Sequence, residues 1–171
     1  MDQFLGPFDL GASLAAAIVI APPTGVPVDP TVNPTYRVYD GDTLLPNGTG
    51  SLTKLDTGTI TNATNATPIV FTSASHGLQT GNVVKVTGVG GNTNANNTWV
   101  VTRINDNSFS GDGSVGNSAY TSGGAWHILG LYQLALTLSA GNGFEAGKTY
   151  TVRIDWANSG NFAKIVTFQV T

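Results

Sequence analysis

GSLTKLDTG (residues 50–58) and GLYQLALTLS (residues 130–139) read as one continuous pair of strands once the stretch between them is removed. That stretch, residues 59–128, has its own turns, strands and aromatic residues, and is richer in Asn, Thr and Gly than its flanks. It reads as a domain inserted into a loop of a host made of residues 1–58 and 129–171. A β-domain threaded into the loop of another builds a projecting module more readily than it builds an active site.

Outward from the junction, the host has a strand-and-turn rhythm throughout. In GLYQLALTLS, Tyr132, Leu134, Leu136 and Leu138 share one face, the period of a half-buried strand. TYTVRIDWA (149–157) sets Tyr150, Val152, Ile154 and Trp156 against Thr151, Arg153 and Asp155, and FAKIVTFQVT (162–171) turns Val166, Phe168 and Val170 inward. TYRVYD (35–40) alternates in the same way, and the Asp-Gly and Asn-Gly pairs that follow supply hairpin turns. APPTGVPVDPTVNP (21–34) holds five prolines, which bar it from a central strand or a helix. No segment has a sustained helical period with caps. Tyr150 follows a glycine-containing corner, as in the tyrosine corner of immunoglobulin-like sandwiches. The host is therefore expected to be an all-β, Ig-like sandwich.

The insert divides into PIVFTS, NVVKVTGV, TWVVTRI, SFSG and AWHIL, separated by Gly- and Asn-rich turns. Its apolar anchors are Ile69, Phe71, Leu78, Val84, Val86, Trp99, Val101, Ile104, Phe109, Tyr120 and Trp126. These suffice for a small closed core and predict a small β-barrel-like domain.

Charged residues make up 10% of the 171-residue chain, against roughly 25% in an ordinary soluble domain, so Thr, Asn, Ser and Gly must hydrate its surface. Such a surface suits a protein packed against copies of itself or other subunits. Seven Lys and Arg in a chain of net charge −3 form no basic stripe for a phosphate backbone, which argues against nucleic-acid binding. Cysteine is absent, excluding disulfides and thiolate metal sites. The apolar run LGASLAAAIVIA (10–21) lacks a preceding cationic region and is too short to span a bilayer; it reads as a buried strand, with no membrane partner expected.

Motifs for chemistry are sparse. His76 and His127 lack metal-site spacing, and His76 reads as a turn residue bonding backbone. Asp40-Gly41-Asp42 lacks the further oxygen ligands of a calcium loop and reads as a turn. GVGGN (88–92) has no helix behind it to bind phosphate and reads as a hairpin. No catalytic residue, cofactor or metal is expected.

FLGPFDLGASL (4–14), PTYRVYDGD (34–42) and GLYQLALTLSAGNGFEAGKTYTVRIDWA (130–157) together resemble small Ig-like virion proteins of tailed bacteriophages. The insert is similar to a module that recurs in phage structural proteins and is often labelled as like the FCCH domain of ubiquitin-activating enzymes. The pieces that carry this are His76 to Val89, the Asn96-x-Thr98-Trp99-x-Val101 strand and the Tyr120-Thr-Ser-Gly-Gly-x-Trp126 close. The resemblance implies a non-enzymatic virion component: a head decoration or cement protein, or alternatively a neck, tail or fibre accessory. Its implied partners are the major capsid protein, connector or tail proteins, and further copies of itself. The expected inter-subunit contacts are Phe4, Leu5, Pro7, Phe8, Pro22, Pro23, Val26 and Val28, all extended and apolar. If the chain serves host adhesion instead, Tyr120 and Trp126 are the expected glycan contacts.

Overall fold

A computed structural model describes residues 3–22, 27–157 and 160–171. Its strands are β1 (Gln3–Phe8), β2 (Ser13–Val19), β3 (Thr35–Asp40), β4 (Thr43–Ser51), β5 (Thr53–Lys54), β6 (Thr57–Thr59), β7 (Asn62–Ala63), β8 (Val70–Thr72), β9 (Val83–Thr87), β10 (Thr98–Asn105), β11 (Ser108–Gly111), β12 (Ala125–Ile128), β13 (Leu131–Thr137), β14 (Thr149–Ala157) and β15 (Asn161–Val170). Helix is confined, among the described residues, to single 3₁₀ turns at Thr93–Ala95 and Ala140–Asn142. The protein is all-β. Among the described residues, no helix is long and apolar enough to cross a membrane.

The chain divides into two compact units, Met1–Thr53 with Gly130–Thr171, and Lys54–Leu129. The first is a β-sandwich. A five-stranded sheet of order β1-β15-β14-β3-β4 and a three-stranded sheet of order β2-β13-β5 bury one shared core. The period-two faces read from the sequence are the core faces: Tyr132, Leu134, Leu136 and Leu138 from β13 and the segment after it, Tyr150, Val152, Ile154 and Trp156 from β14, and Val166, Phe168 and Val170 from β15. Leu14, Ile18 and Ile20 of the run 10–21 complete it. At the corner before β14 the Tyr150 hydroxyl accepts the Glu145 N–H at 2.7 Å, which holds the turn against the core. Its ring stacks on Phe168 with centroids 5.7 Å apart. This is the corner geometry expected of an Ig-like sandwich.

The second unit is a seven-stranded sheet of order β6-β12-β9-β10-β11-β8-β7. β10 bends it: Thr98–Val100 pair with β9, and residues from Val101 onward pair with β11. The edge strands β6 and β7 belong to one run of chain. Thr59 pairs with Ala125 of β12, the Ile60 N–H bonds Gly124, and the Thr61 N–H then bonds Thr72 at the end of β8. The run thus changes partner between Ile60 and Thr61, and the ladder does not close by pairing β6 with β7. No closed barrel forms, but the sheet, its two edges linked by this one run, encloses a core of Phe71, Phe109, Trp126 and aliphatic side chains, in keeping with the barrel-like domain expected.

Two expectations about this unit need correction. Residues 54–58 belong to it rather than to the host, because β6 pairs with β12 and Gly58 lies opposite Trp126. A Cβ on Gly58 would come within 2.6 Å of the indole, so glycine makes the seat for that ring. Ile104 is not a core anchor; it is 52% exposed. It lies three residues from the buried Val101, and odd spacing on a strand puts the two on opposite faces.

The abundance of Asn and Ser in this unit has a structural cause. Its strands are short, so side chains take over part of the backbone's hydrogen bonding. Buried Asn92 donates to the Thr64 carbonyl at 2.9 Å and accepts the Asn117 N–H at 3.1 Å. Asn96 clasps both the N–H and the carbonyl of Val89 at 2.8 Å each. Buried Ser114 accepts from Ile69 N–H and donates to Gly111. His76 works in the same way. Its Nδ1 accepts the Leu78 N–H at 3.0 Å, so Nε2 carries the proton and donates to the Asn105 carbonyl at 2.8 Å.

Candidate functional site

The outward face of the five-stranded sheet follows from strand alternation and register. With Val38, Val152, Ile154 and Val166 in the core, the intervening residues of β3, β14 and β15 face out. Register then joins them into rows. Leu44 of β4, Tyr39 of β3, Thr151 of β14, Thr167 of β15 and Phe4 of β1 lie side by side across all five strands. Phe4 is 60% exposed and Leu44 43%, while Tyr39 and Ile165 are half-buried.

The adjacent row sets Arg37 directly opposite Arg153, with Ile165 beyond, and the next sets Thr35 opposite Asp155. Like charges facing each other across a strand pair repel. Asp155 offsets this: one carboxylate oxygen takes Arg37 Nη1 at 3.1 Å and the other takes Arg153 Nε at 2.7 Å. The second bond raises the Arg153 guanidinium above its usual range. Two cations and one anion leave a surplus positive charge. Beside this trio a groove of about 480 Å³ opens between the chain leading into β3 and the β14–β15 hairpin. Asn33, Asn161, Trp156 and Phe162 line it; Trp156 and Phe162 are cross-strand partners on the core-facing side of the sheet, their rings stacked with centroids 5.9 Å apart.

The contact residues expected from sequence fare unequally. Phe4 and Pro7 are exposed, Pro7 at a shift in the β1–β15 register. Leu5 and Phe8 instead turn inward and pack on the host core, Phe8 edge-on to Phe168 at 6.2 Å; most of their surface is already spent within the chain. Pro22 is half-buried, and Val28 packs on the same core with its N–H bonded to the Ile20 carbonyl. Pro23 and Val26 lie outside the described residues.

The glycan contacts expected in the insert are corrected. Trp126 is 2% exposed, its Nε1 donating to Ser73 Oγ at 2.8 Å and its ring edge-on to Phe109. Tyr120 is half-buried against the same core, its hydroxyl directed to the Ile60 carbonyl. Trp126 offers no free ring face of the kind a sugar stacks on, and Tyr120 is only partly exposed. The Arg37–Asp155–Arg153 trio and the Phe162 groove were missed from sequence. The available signal was two of the seven cations placed mid-strand at outward positions.

Among the described residues, no three His, Asp or Glu side chains converge in a way that could hold a metal ion. Asp40 of the Asp-Gly-Asp turn is bonded to Lys148 at 2.7 Å. No protein-family model matches the chain, and no curated protein matches it.

Proposed function

We propose that this chain is a non-enzymatic structural protein of a tailed-phage virion, a head decoration or cement subunit, with its host sandwich seated on neighbouring subunits. The observation that carries the reading is the row Leu44–Tyr39–Thr151–Thr167–Phe4 flanked by Arg37 and Arg153. Phe, Tyr and Arg are the residues enriched where proteins meet. The row ends on β1, a sheet edge, where an exposed Phe4 would invite unwanted pairing in a free molecule. Covering by a neighbour removes that liability. The low charge of the chain and its resemblance to Ig-like virion proteins point the same way.

Under this reading the major capsid protein, or a connector or tail protein, covers the sheet face, and copies repeat with the symmetry of the particle. Quantifying the chain in purified particles tests it. Hundreds of copies per virion are expected of a decoration protein; a handful would move it to the neck, tail or fibre; absence would remove it from the virion altogether.

A further inference from the structure

We infer that the free edge of β2 is a self-pairing surface, and that two copies of this chain join β2 to β2 in antiparallel register about Ala16. The contact lies on the three-stranded sheet rather than on the face assigned to a covering subunit. It stands whether or not the chain belongs to a virion.

β2 is the outermost strand of its sheet, paired with β13 alone. At one end the Ile20 N–H bonds the Gly130 carbonyl, and at the other the Leu138 N–H bonds the Ala12 carbonyl. Hydrogen bonding alternates along an antiparallel pair, so Leu14, Ala16 and Ile18 direct their backbone groups to β13. Ser13, Ala15, Ala17 and Val19 direct theirs away from it. Among the described residues, only the Val19 carbonyl meets a partner on that side, Lys164 Nζ at 3.5 Å.

Proteins guard such edges against pairing, and the other sheet edges here are guarded. β1 carries Gly6 and Pro7 at a break in register, and β4 carries Pro46 and a register shift. β5, β6 and β7 are only two or three residues long. β2 instead has seven residues in unbroken register, with no proline, glycine or charge. Its neighbour β13 carries no charge either.

The strand that fits this edge is β2 itself. With Ala16 on a two-fold axis, Ala15 of one copy lies opposite Ala17 of the other, and each such pair exchanges both backbone hydrogen bonds. Opposite residues keep the same face, so Leu14 falls beside Ile18 and the core face continues across the junction. A charged strand would find no counter-charge along β2, whereas an uncharged copy meets no repulsion. Val19, already holding Lys164, falls opposite Ser13 at the end of the pair, so the central alanines carry the pairing. Strands of this length bury less than the roughly 1,200 Å² of a standard interface, so the pair is weak in isolation, with Kd on the order of 100 μM.

Sedimentation equilibrium of the full chain from about 10 μM to about 1 mM tests this. A monomer–dimer equilibrium with that Kd is expected. Ala15→Lys, at an exposed position, and Ala17→Pro, which removes an N–H that β13 does not use, should each weaken it about tenfold with circular dichroism unchanged. The chain has no cysteine, so single cysteines report the register. Ala16→Cys meets its own counterpart and should give a disulfide-linked dimer under mild oxidation. Ser13→Cys, about 20 Å from its counterpart, should not. A chain that stays monomeric to about 1 mM overturns the inference, even if its β2 accepts a strand from another protein. So does a dimer indifferent to both edge variants, or Ser13→Cys cross-linking as readily as Ala16→Cys.

Discussion

Replacing Tyr132 with phenylalanine should stabilise the host sandwich. The ring of Tyr132 is fully buried in the core, on the face of β13 that carries Leu134 and Leu136. Its hydroxyl has no hydrogen-bond partner among the described residues. A buried hydroxyl without a partner costs about 1–3 kcal/mol in lost hydration, and phenylalanine removes the hydroxyl while keeping the ring. For a chain of this size each kcal/mol moves Tm by about 2–4 °C, so a rise of several degrees is expected in a thermal melt at neutral pH.

The same hydroxyl sets an alkaline limit. Burial, and secondarily the negative charge of Asp29, push its pKa up to about 12. Between pH 10 and 12 the unfolded tyrosine is ionised while the folded one is still protonated. The folded state then binds more protons, and stability falls as pH rises. At about 1.4 kcal/mol per unit, the decline over this range is on the order of 3 kcal/mol at most. Lys148 adds a decline in the upper part of that window. Hydrogen bonds to Asp40 and Glu145 hold its ammonium up to about 12, so the stability they lend is lost as it deprotonates. Comparing urea melts of the wild type and Tyr132→Phe across this range isolates the hydroxyl. A variant that loses more than about 1 kcal/mol at neutral pH, or whose alkaline decline matches the wild type, would refute the reasoning.

Other substitutions probe the insert and the corner. Asn92→Ala removes the side chain that bridges Ala63, Thr64 and Asn117 inside the core, and should cost roughly 2–4 kcal/mol in chemical denaturation of the second unit. Gly58→Ala drives a methyl group into the Trp126 indole; a loss of about 1–3 kcal/mol, with a shifted tryptophan emission, is expected. Tyr150→Phe frees the Glu145 N–H and should cost about 0.5–1.5 kcal/mol, read as a lower Tm with unchanged strand content by circular dichroism.

How much could be read in advance depended on the range of the interactions involved. The host core was legible because alternation is local: Tyr132, Leu134, Leu136 and Leu138 mark their face without knowledge of any partner strand. The corner at Tyr150 was legible for the same reason. The first junction was not. Thr57–Thr59 carries no apolar pattern, and Gly58 has meaning only once Trp126, far along the chain, is paired against it. The curl of the second unit was half legible: its strands could be placed, but not the change of partner at Ile60–Thr61, which depends on two distant strand ends. The groove was hidden for the strongest form of this reason. Arg37 and Arg153 meet only through the β3–β14 register. Phe4 shows the converse: extended and apolar in sequence like Leu5 and Phe8, it faces out only because β1 pairs in parallel with β15 in a register that sets it beside Thr167.

The central claim, that the outward face of the five-stranded sheet is covered in a virion, is tested most directly by hydroxyl-radical footprinting. Phe4, Tyr39, Leu44 and Ile165 would be compared between the isolated chain and purified particles. Several-fold lower labelling of these four side chains in the particle is predicted, with the exposed Val115 of the second unit as a reference site. Equal labelling of the four in both states, or particles that lack the chain, would contradict it.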